Sequence, residues 1–498
     1  MKRLLFSLLI AGLVLIPGTV RADDDFGFGF GDDSENNPAE PAQAVSVKLG
    51  GEVSAGLALF PYDFRSKANA KAVDPGDIFS GKLNFNASSR YADAVINFTI
   101  SSDSFRDLGT FHQEPRSTPK LINEAYLRAY LGPVNIEGGL RKLTWGKADS
   151  LGPLDVTNPL DYSDLTNITD SQGRKIARPM VHASWSVGGF SKLEAVFIPA
   201  FQGHRFDLDS FGRWYPTAIT DDRAQDMVGG IIDAAYDKST LLGNGVAQGI
   251  ANDPTVLQRM SVTIPPTKGL EYAQGGIRFT TTIGPADIGV QYYYGNLFRP
   301  SLSLTGVDAF LNITAVTGAP GPYPKPRIEY NRYHQIGMDY AQVLFGFNVR
   351  AEFAANITND LSGDDGAVYN PFLAWSLGFD RDIFRGLVVN LQANETIRLL
   401  NDKVNSNPAL DTEADSPITN TALTFRISKK LLQEKLELKL TNIWNIEAMD
   451  FYCIPAVSYT LGDLTAELSG GIFGGKDGGE LGQYRDNHFV KAILTYSF

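Results

Sequence analysis

The sequence is poor in cysteine and histidine. One cysteine, Cys453, stands in 498 residues, which excludes a framework of internal disulfide bonds and a cysteine-rich metal site. The five histidines are scattered without the short spacing of metal ligands. We therefore expect no metal and no cofactor. Acids exceed bases, with a formal net charge of −12, and this balance does not favour a partner made of nucleic acid.

Enzyme signatures and long apolar runs are also missing. The sequence contains no G-x-S-x-G elbow, no H-E-x-x-H motif and no phosphate-binding P-loop. We therefore expect no catalytic residues. After residue 22 no stretch approaches 18 consecutive apolar residues, so no transmembrane helix is expected there.

The N-terminal 44 residues have two distinct compositions. In residues 1–22, Lys2 and Arg3 precede a short apolar core, and Ala22 completes a small-x-small cleavage site. This pattern predicts a cleaved secretory signal peptide. Residues 23–44 carry seven acids and no base, which predicts an acidic, disordered leader. The mature protein is expected to be exported.

Strict alternation of apolar and polar residues fills the remainder, residues 45–498. In residues 347–357, for example, Phe347, Val349 and Ala351 alternate with polar Asn348 and Arg350. Successive side chains of a β-strand point to opposite faces, so such a segment has one apolar and one polar face. Eighteen segments of this kind begin near residues 45, 78, 91, 120, 134, 177, 191, 270, 286, 334, 347, 371, 386, 418, 434, 450, 464 and 487.

The connections between these segments alternate in length. Short turns such as Gly132-Pro133 and Gly284-Pro285 alternate with mostly long, polar connections such as 148–176 and 202–269. We predict an all-β fold, a transmembrane antiparallel up-and-down β-barrel of about 18 strands (16–18) in the outer membrane, with both termini in the periplasm. An exported soluble β-sandwich is the alternative, but it gives no reason for the alternation of turn lengths.

The C-terminal segment has a recognisable sequence pattern. His488 to Phe498 reads HFVKAILTYSF, with Tyr496 and Phe498 on its apolar face. This resembles the C-terminal signal of bacterial outer-membrane proteins. The resemblance implies that the barrel-assembly machinery is a partner during insertion and that Tyr496 and Phe498 form the assembly signal.

A second resemblance lies in the middle of the chain. Arg141 is followed by Trp145-Gly146 and then by Asn158-Pro159 and Asp161. This pattern is similar to one in a poorly characterised group of porin-like bacterial barrels. Physically, Trp145 suits an aromatic belt at the membrane interface, and Asn158-Pro159 suits the start of a turn. We assign no ligand to either.

Charged residues on the polar faces are candidates for the channel lining. A barrel of 16–18 strands is too wide for its own side chains to fill. Two interpretations remain open: the lining gives a weak preference for anions, or its charges pair across strands and stiffen the wall. The lumen-facing candidates are Lys48, Glu52, Lys82, Arg90, Glu124, Arg128, Glu137, Arg141, Arg350, Glu352, Arg398, Arg426 and Lys439, with Lys192, Glu194, Arg278, Asp339, Glu437 and Lys491 on the same faces.

The connection 202–269 is too long to be a simple turn and should have structure of its own. Asp221-Asp222 before an amphipathic run predicts a helix start. The loop either folds into the channel and constricts it or caps it from outside.

The function expected from these features is passive diffusion of small hydrophilic solutes through an outer-membrane porin. Outer-membrane lipid and small polar solutes are the expected partners, and a homo-oligomer is possible. A substrate-specific transporter for a hydrophobic or oligomeric ligand is the first alternative. A surface adhesin or structural barrel is the second. A receptor with a large N-terminal plug is not expected, because only residues 23–44 precede the barrel.

Overall fold

A computed structural model describes residues 45–62, 73–74, 79–101, 121–208, 212–237, 245, 248, 267–307, 310–312 and 324–498. The predicted signal peptide and acidic leader lie outside the described residues. The whole connection 104–119 and parts of the connections 60–77, 202–269 and 300–333 also lie outside them.

Eighteen antiparallel strands form one closed sheet. Each strand pairs with the next along the ring, and the last pairs with the first, with Glu52 opposite Ser497 and Leu59 opposite Val490. The prediction of an antiparallel barrel of about 18 strands is thus confirmed. The strands are β1 (Ser46–Leu59), β2 (Phe79–Ser88), β3 (Ala92–Ser101), β4 (Ile122–Leu131), β5 (Val134–Arg141), β6 (Arg178–Val187), β7 (Ser191–Ile198), β8 (Gln274–Ile283), β9 (Ala286–Asn296), β10 (Arg332–Leu344), β11 (Phe347–Thr358), β12 (Phe372–Phe384), β13 (Leu387–Arg398), β14 (Thr419–Leu431), β15 (Leu436–Asn445), β16 (Asp450–Leu461), β17 (Leu464–Gly474) and β18 (Phe489–Ser497).

The two faces of the sheet differ sharply in polarity. On β10, Gln335 and Asp339 are each only 1% exposed, whereas Ile336 between them is 57% exposed. Apolar side chains that a soluble protein would bury thus cover the outside of the ring. Large, exposed apolar residues recur around it, including Leu127, Ile277, Val290, Phe353, Leu391, Leu438 and Leu468.

The two rims of the barrel are built differently. At the short-turn rim, neighbouring strands are joined by connections of a few residues, such as Gly132-Pro133 between β4 and β5. Gly132 has a φ of +66°, which favours glycine. β1 begins and β18 ends at this rim, as the pairing of Ser46 with Ser88 and of Glu52 with Ser497 shows. Most long connections lie at the opposite, long-loop rim.

The long-loop rim carries secondary structure of its own. A helix, α1 (Asp221–Asp237), begins at the predicted Asp221-Asp222 pair, whose acids suit a helix N-terminus. Its buried face packs on the connection after β9, which includes a hairpin of Ser301–Thr305 with Lys325–Glu329. None of the described helices is long and apolar enough to cross a membrane.

One predicted strand is too long. The alternation after residue 134 extends to Lys147, but β5 ends at Arg141. Beyond Arg141 the chain leaves the wall and turns into the barrel. Alternation alone could not show this, because an inward-turning segment with apolar contacts of its own keeps a similar pattern.

Candidate functional site

Residues 142–176, which join β5 to β6, form a segment that runs through the inside of the barrel; we call it the crossing segment. Its two ends are tied together by Asn158, which is 2% exposed. The Asn158 side-chain oxygen accepts the Leu143 N–H at 2.8 Å, and its NH2 group donates to the carbonyls of Arg141 and Ile176 at 3.0 and 2.9 Å. Asn158 thus closes the segment at its base, a more specific role than the predicted turn start.

Trp145 lies inside the barrel and not in an outer aromatic belt. It is 2% exposed and packs in a cluster with Tyr293, Met180 and Ile198. A Cβ at Gly276 on β8 would lie 2.9 Å from the Trp145 ring, so a residue without a side chain makes room for the indole. The expectation of an interfacial position for Trp145 is therefore wrong. It followed from extending β5 past Arg141.

Glu352 on β11 is the main contact of the crossing segment with the far wall. Its carboxylate accepts backbone N–H groups of Lys147, Ala148 (2.7 Å) and Leu154 (3.3 Å). Such charge-assisted bonds to a buried carboxylate are stronger than neutral ones. Glu352 is 4% exposed, so these donors replace the water that its charge requires.

Two glycines of the segment make this contact possible. A Cβ at Gly146 or at Gly152 would lie 2.3 Å from a carboxylate oxygen of Glu352. Gly146 also has a φ of +91°, a backbone conformation that favours glycine. The Trp145-Gly146 pair therefore combines an apolar anchor with a residue that lets the backbone approach Glu352.

Neutral amide side chains extend the contact along the wall. Gln291 on β9 donates to the carbonyl of Leu154 at 3.0 Å, and Gln335 on β10 donates to that of Pro153 at 2.9 Å. On β13, Gln392 accepts the Ser150 N–H at 3.0 Å. Sequence reasoning missed these glutamines because it counted charges only. Their inward positions in the alternating pattern were the available signal.

Charged pairs surround the same contact. Asp149 of the crossing segment accepts from Arg350 on β11, with an N–O distance of 2.5 Å, and from Asn390 on β13 at 2.7 Å. Nearby, Arg278 on β8 pairs with Asp339 on β10 at 2.6 Å. Arg350, Arg278 and Asp339 of the wall thus have partners of opposite sign, whereas Glu352 is held by backbone N–H groups.

The other end of the crossing segment reaches a different part of the ring. The Tyr452 hydroxyl on β16 donates to the carbonyl of Leu165 at 3.0 Å, and Lys491 on β18 donates to Thr166 at 3.0 Å. Leu165 packs with Phe473 of β17 in an apolar cluster. The segment therefore contacts the wall at its base on β5 and β6, at β9–β13, and at β16–β18, and these places are about six strands apart.

A buried ion pair holds the interior of the segment. The Lys175 ammonium lies 2.7 Å from the Asp155 carboxylate, and their side chains are 1% and 7% exposed. Lys175 also donates to Thr144. Burial raises the pKa of Asp155 although the ammonium opposes this effect.

The connection 202–269 takes a different place. Helix α1 packs against the connections after β9 and β13, where Arg223 donates to the carbonyls of Pro408 and Asp411 at 3.0 and 2.9 Å. Upstream, Trp214 packs on Phe473 and Tyr484. Helix α1 therefore lies among the outer loops and fits the predicted cap. The start of the connection reaches inward to the crossing segment: His204 accepts the Leu160 N–H at 2.9 Å, Arg205 pairs with Asp161 at 2.9 Å, and Trp214 packs in one cluster with Leu165.

Four predicted lining residues on β4, β5 and β7 form one network: Arg128, Glu137, Arg141 and Glu194. Arg128 pairs with Glu137 at 2.6 Å, and Arg141 also pairs with Glu137. His182, which sequence reasoning passed over, contacts Glu137 at 2.7 Å and Glu194 at 3.2 Å.

The remaining candidates have separate environments. Glu52 and Lys82 pair with each other at 2.5 Å across β1 and β2, and Glu124 accepts the Lys142 N–H at 2.9 Å. Arg398, the last residue of β13, lies at the long-loop rim beside Glu413. Arg90 is a correction: it lies in the exposed turn between β2 and β3, over the Tyr91 ring, and not on a strand.

Burial divides the inner wall into two unequal parts. Where the crossing segment contacts β9–β13, the inward side chains are buried, as Glu352 and Gln392 show. On β1 and β2, by contrast, the Glu52 and Lys82 side chains are 33% and 48% exposed. We call the less buried part the open sector; its charged members include Lys48, Glu52, Lys82, Arg426, Glu437 and Lys439. Among the described residues, no ion pair is recorded for Lys48, Arg426 or Lys439.

Tyr496 and Phe498 lie on the outer face beside the seam. Their rings stack at 6.3 Å, and each residue is nearly half exposed. The Phe498 backbone exchanges two hydrogen bonds with Gly51, at 2.9 and 3.0 Å. A Cβ at Gly51 would lie 2.3 Å from the Lys82 carbonyl. The C-terminal residue thus completes the closure of the ring at the short-turn rim.

Comparison with known proteins gave similarities of structure only. No protein-family model and no curated protein sequence matches the chain. Among solved structures, OccK11 (OpdR) of Pseudomonas aeruginosa is similar over 91% of this chain and 96% of its own, at 9% identity and a TM-score of 0.46. A BenF-like porin of Pseudomonas fluorescens is similar over 91% and 98%, at 9% identity and a TM-score of 0.44. The outer membrane channel DcaP of Acinetobacter baumannii is similar over 91% and 97%, at 10% identity and a TM-score of 0.39.

Proposed function

We propose that this protein is an outer-membrane channel through which small hydrophilic solutes diffuse passively. The observation that carries the proposal is the closed ring of 18 strands with an apolar outside and a polar inside. A closed sheet satisfies its backbone hydrogen bonds in lipid, and a ring of this width leaves room for water between its walls. Outer-membrane lipid is then the partner of the exposed apolar face.

The crossing segment sets the size limit in this proposal. It occupies the lumen beside β9–β13 and leaves the open sector, so solutes pass along Lys48, Glu52, Lys82, Arg426 and Lys439. Fixed charges in a narrow path bias which ions enter. Because the open sector carries four bases and two acids, Glu437 included, we infer a weak preference for anions.

The same proposal includes two further partners and an orientation of the barrel in the membrane. Tyr496 and Phe498 are accessible on the outer face, as an assembly signal for the barrel-assembly machinery has to be. The rim at which β1 begins and β18 ends faces the periplasm. A homo-oligomer is compatible with the apolar exterior, which offers contact area to a second copy.

Single-channel conductance in planar bilayers tests the proposal. We expect stable open steps from the purified full-length protein. Their absence would favour a structural barrel or an adhesin. Liposome swelling with sugars of increasing size, compared with uptake of a fatty acid, separates a diffusion channel from a transporter of hydrophobic ligands. A diffusion channel gives swelling rates that fall smoothly with sugar size.

A further inference from the structure

A cluster of cations lies on the outer face at the short-turn rim. Arg381 on β12 sits 4.9 Å from the Phe347 ring centre, and Arg385 in the next turn sits 5.5 Å from that of Phe384. Lys429 on β14 approaches the same Phe384 ring at 5.6 Å. We call Arg381, Arg385 and Lys429 the basic rim patch. Phe384 is 62% exposed, so the cations and rings are presented together.

Nearby acids are engaged within the turns. Asp382 accepts the Gly386 N–H with both carboxylate oxygens, at 2.9 and 3.1 Å. Glu434 lies 3.5 Å from Lys430. With Lys430 counted, four cations stand against the two carboxylates, so the region of the basic rim patch has a net positive charge. In the other short turns of the ring the described cations are Arg90, beside Tyr91, and Lys435, between β14 and β15.

An apolar groove on the outer face begins at this patch. It has a cavity volume of about 560 Å³ and includes Lys429 in its lining, together with apolar side chains of β13–β18. We call it the outer groove; its apolar lining includes Leu387, Leu438, Leu440, Pro455, Leu468 and Val490. Its volume is within the range of small-molecule sites.

The local sequence explains why the groove exists. The pairing of β16 with β17 is interrupted between Cys453–Ile472 and Ala456–Ser469. Pro455, which lacks an N–H group, lies in this gap. Opposite it, Gly470 contributes no side chain, and a Cβ there would have only ordinary contacts, at 3.5 and 3.6 Å. A compact ring facing a glycine leaves a depression between the surrounding leucines.

We propose that the basic rim patch and the outer groove together bind one anionic phospholipid, with the phosphate at the patch and an acyl chain in the groove. Cations near a membrane surface attract anionic headgroups, and the groove continues from Lys429 into the apolar face. A second copy of this chain is disfavoured as the occupant, because a symmetric contact would bring the same cations together. The proposal needs only that the outer face contacts lipid, and it adds a specific lipid site to the proposed channel.

Native mass spectrometry of the full-length protein in detergent tests this site. Dioleoylphosphatidylglycerol and dioleoylphosphatidylcholine share acyl chains and differ in headgroup charge. We expect one phosphatidylglycerol to be retained in preference to phosphatidylcholine. In the double variant Arg385→Gln/Lys429→Gln, retention of phosphatidylglycerol should fall about fivefold for each cation removed. Gly470→Leu fills the groove and should lower retention of phosphatidylglycerol without changing the charge.

The matched control is Arg90→Gln, which removes an exposed cation beside an aromatic ring at a distant turn. Circular dichroism and heat-dependent electrophoretic mobility show whether each variant is folded. Equal retention of both lipids by the folded wild type, or unchanged retention in both the charge and the groove variants, overturns the proposal. A lipid-free dimer that Gly470→Leu abolishes overturns it in favour of a second copy. Channel conductance is a separate measurement, so failure of the lipid site leaves the proposed function standing.

Discussion

The Glu352 carboxylate on β11 accepts the Ala148 N–H at 2.7 Å, although the two residues are 204 positions apart. This bond joins the barrel wall to the crossing segment inside it. Because Lys147 and Leu154 donate to the same carboxylate, this one side chain accepts three N–H groups of the segment. Together with the contacts of Gln291, Gln335, Gln392 and Arg350, Glu352 sets the width of the proposed channel.

Replacement of Glu352 should widen or destabilise the channel. Glu352→Ala leaves three buried N–H groups without an acceptor, and we expect a loss of about 3 kcal/mol or more in the free energy holding the segment. Glu352→Gln keeps one acceptor oxygen and should have a smaller effect. Single-channel recording should show the largest and noisiest open steps for Glu352→Ala, smaller ones for Glu352→Gln and the smallest for the wild type. Asp463→Asn, in the short turn between β16 and β17, removes a carboxylate away from both the segment and the open sector and is the control. Equal conductance in all variants would contradict the assignment.

Gly146 should be intolerant of any side chain. Gly146→Ala places a Cβ 2.3 Å from Glu352 and forces a left-handed backbone on a non-glycine residue. The expected result is the conductance change of Glu352→Ala, since both substitutions remove the same contact. Gly138→Ala is the matched control, because no atom lies within 4 Å of its new Cβ. Wild-type conductance in Gly146→Ala would show that the contact does not set the channel width.

Removal of one partner of the buried Lys175–Asp155 pair should be costly. Lys175→Met leaves the Asp155 carboxylate without its cation, and breaking a buried pair typically costs about 3–5 kcal/mol. The double variant Lys175→Met/Asp155→Leu removes both charges and should recover much of this loss. Urea unfolding followed by circular dichroism measures the difference. Equal stabilities of the single and double variants would be inconsistent with a buried, unpaired charge.

His204 predicts a pH dependence of stability. Burial, with help from Arg174 and Arg299, lowers the pKa of His204 from 6.5 to about 3, and its ring accepts the Leu160 N–H at 2.9 Å. Between these pH values the unfolded imidazole is protonated and the folded one is not. The unfolded state then binds more protons, so stability is complete above pH 6.5 and falls as the pH is lowered towards 3.

The comparison with His204→Gln isolates this effect, because glutamine also offers an acceptor but does not titrate. As the pH falls from 7 to 4, the free energy of unfolding of the wild type should decrease more than that of His204→Gln. A difference that stays constant over this range would show that His204 titrates normally in the fold.

The open sector predicts the charge preference. Lys82→Gln/Lys439→Gln removes two of its cations, so the reversal potential in a salt gradient should move in the direction of cation preference. Arg90→Gln, which removes a cation in the short turn between β2 and β3, should leave the reversal potential unchanged. A shift of the same size in the control would place the selectivity outside the open sector.

The sequence predicted the wall better than the interior. Alternation identified the strands because each strand has one apolar face on the outside of the barrel and one polar face turned inward, as Ile336 and Gln335 show. It could not predict that Glu352 meets Ala148, because that contact depends on which strands face each other across the ring. The alternation also extends β5 past Arg141, and this extension wrongly places Trp145 on the outside. The neutral side chains Gln291, Gln335 and Gln392 were passed over because the search for a lining considered only charges.

The crossing segment also has a mechanical consequence. A wide ring held only by its strand ladder can flatten into an ellipse without breaking a ladder hydrogen bond. Here Asn158 at the base, Glu352 on one side and Lys491 on another fasten a single chain to three places about a third of the circumference apart. Flattening of the barrel must lengthen at least one of these attachments. The crossing segment therefore keeps the cross-section of the barrel round.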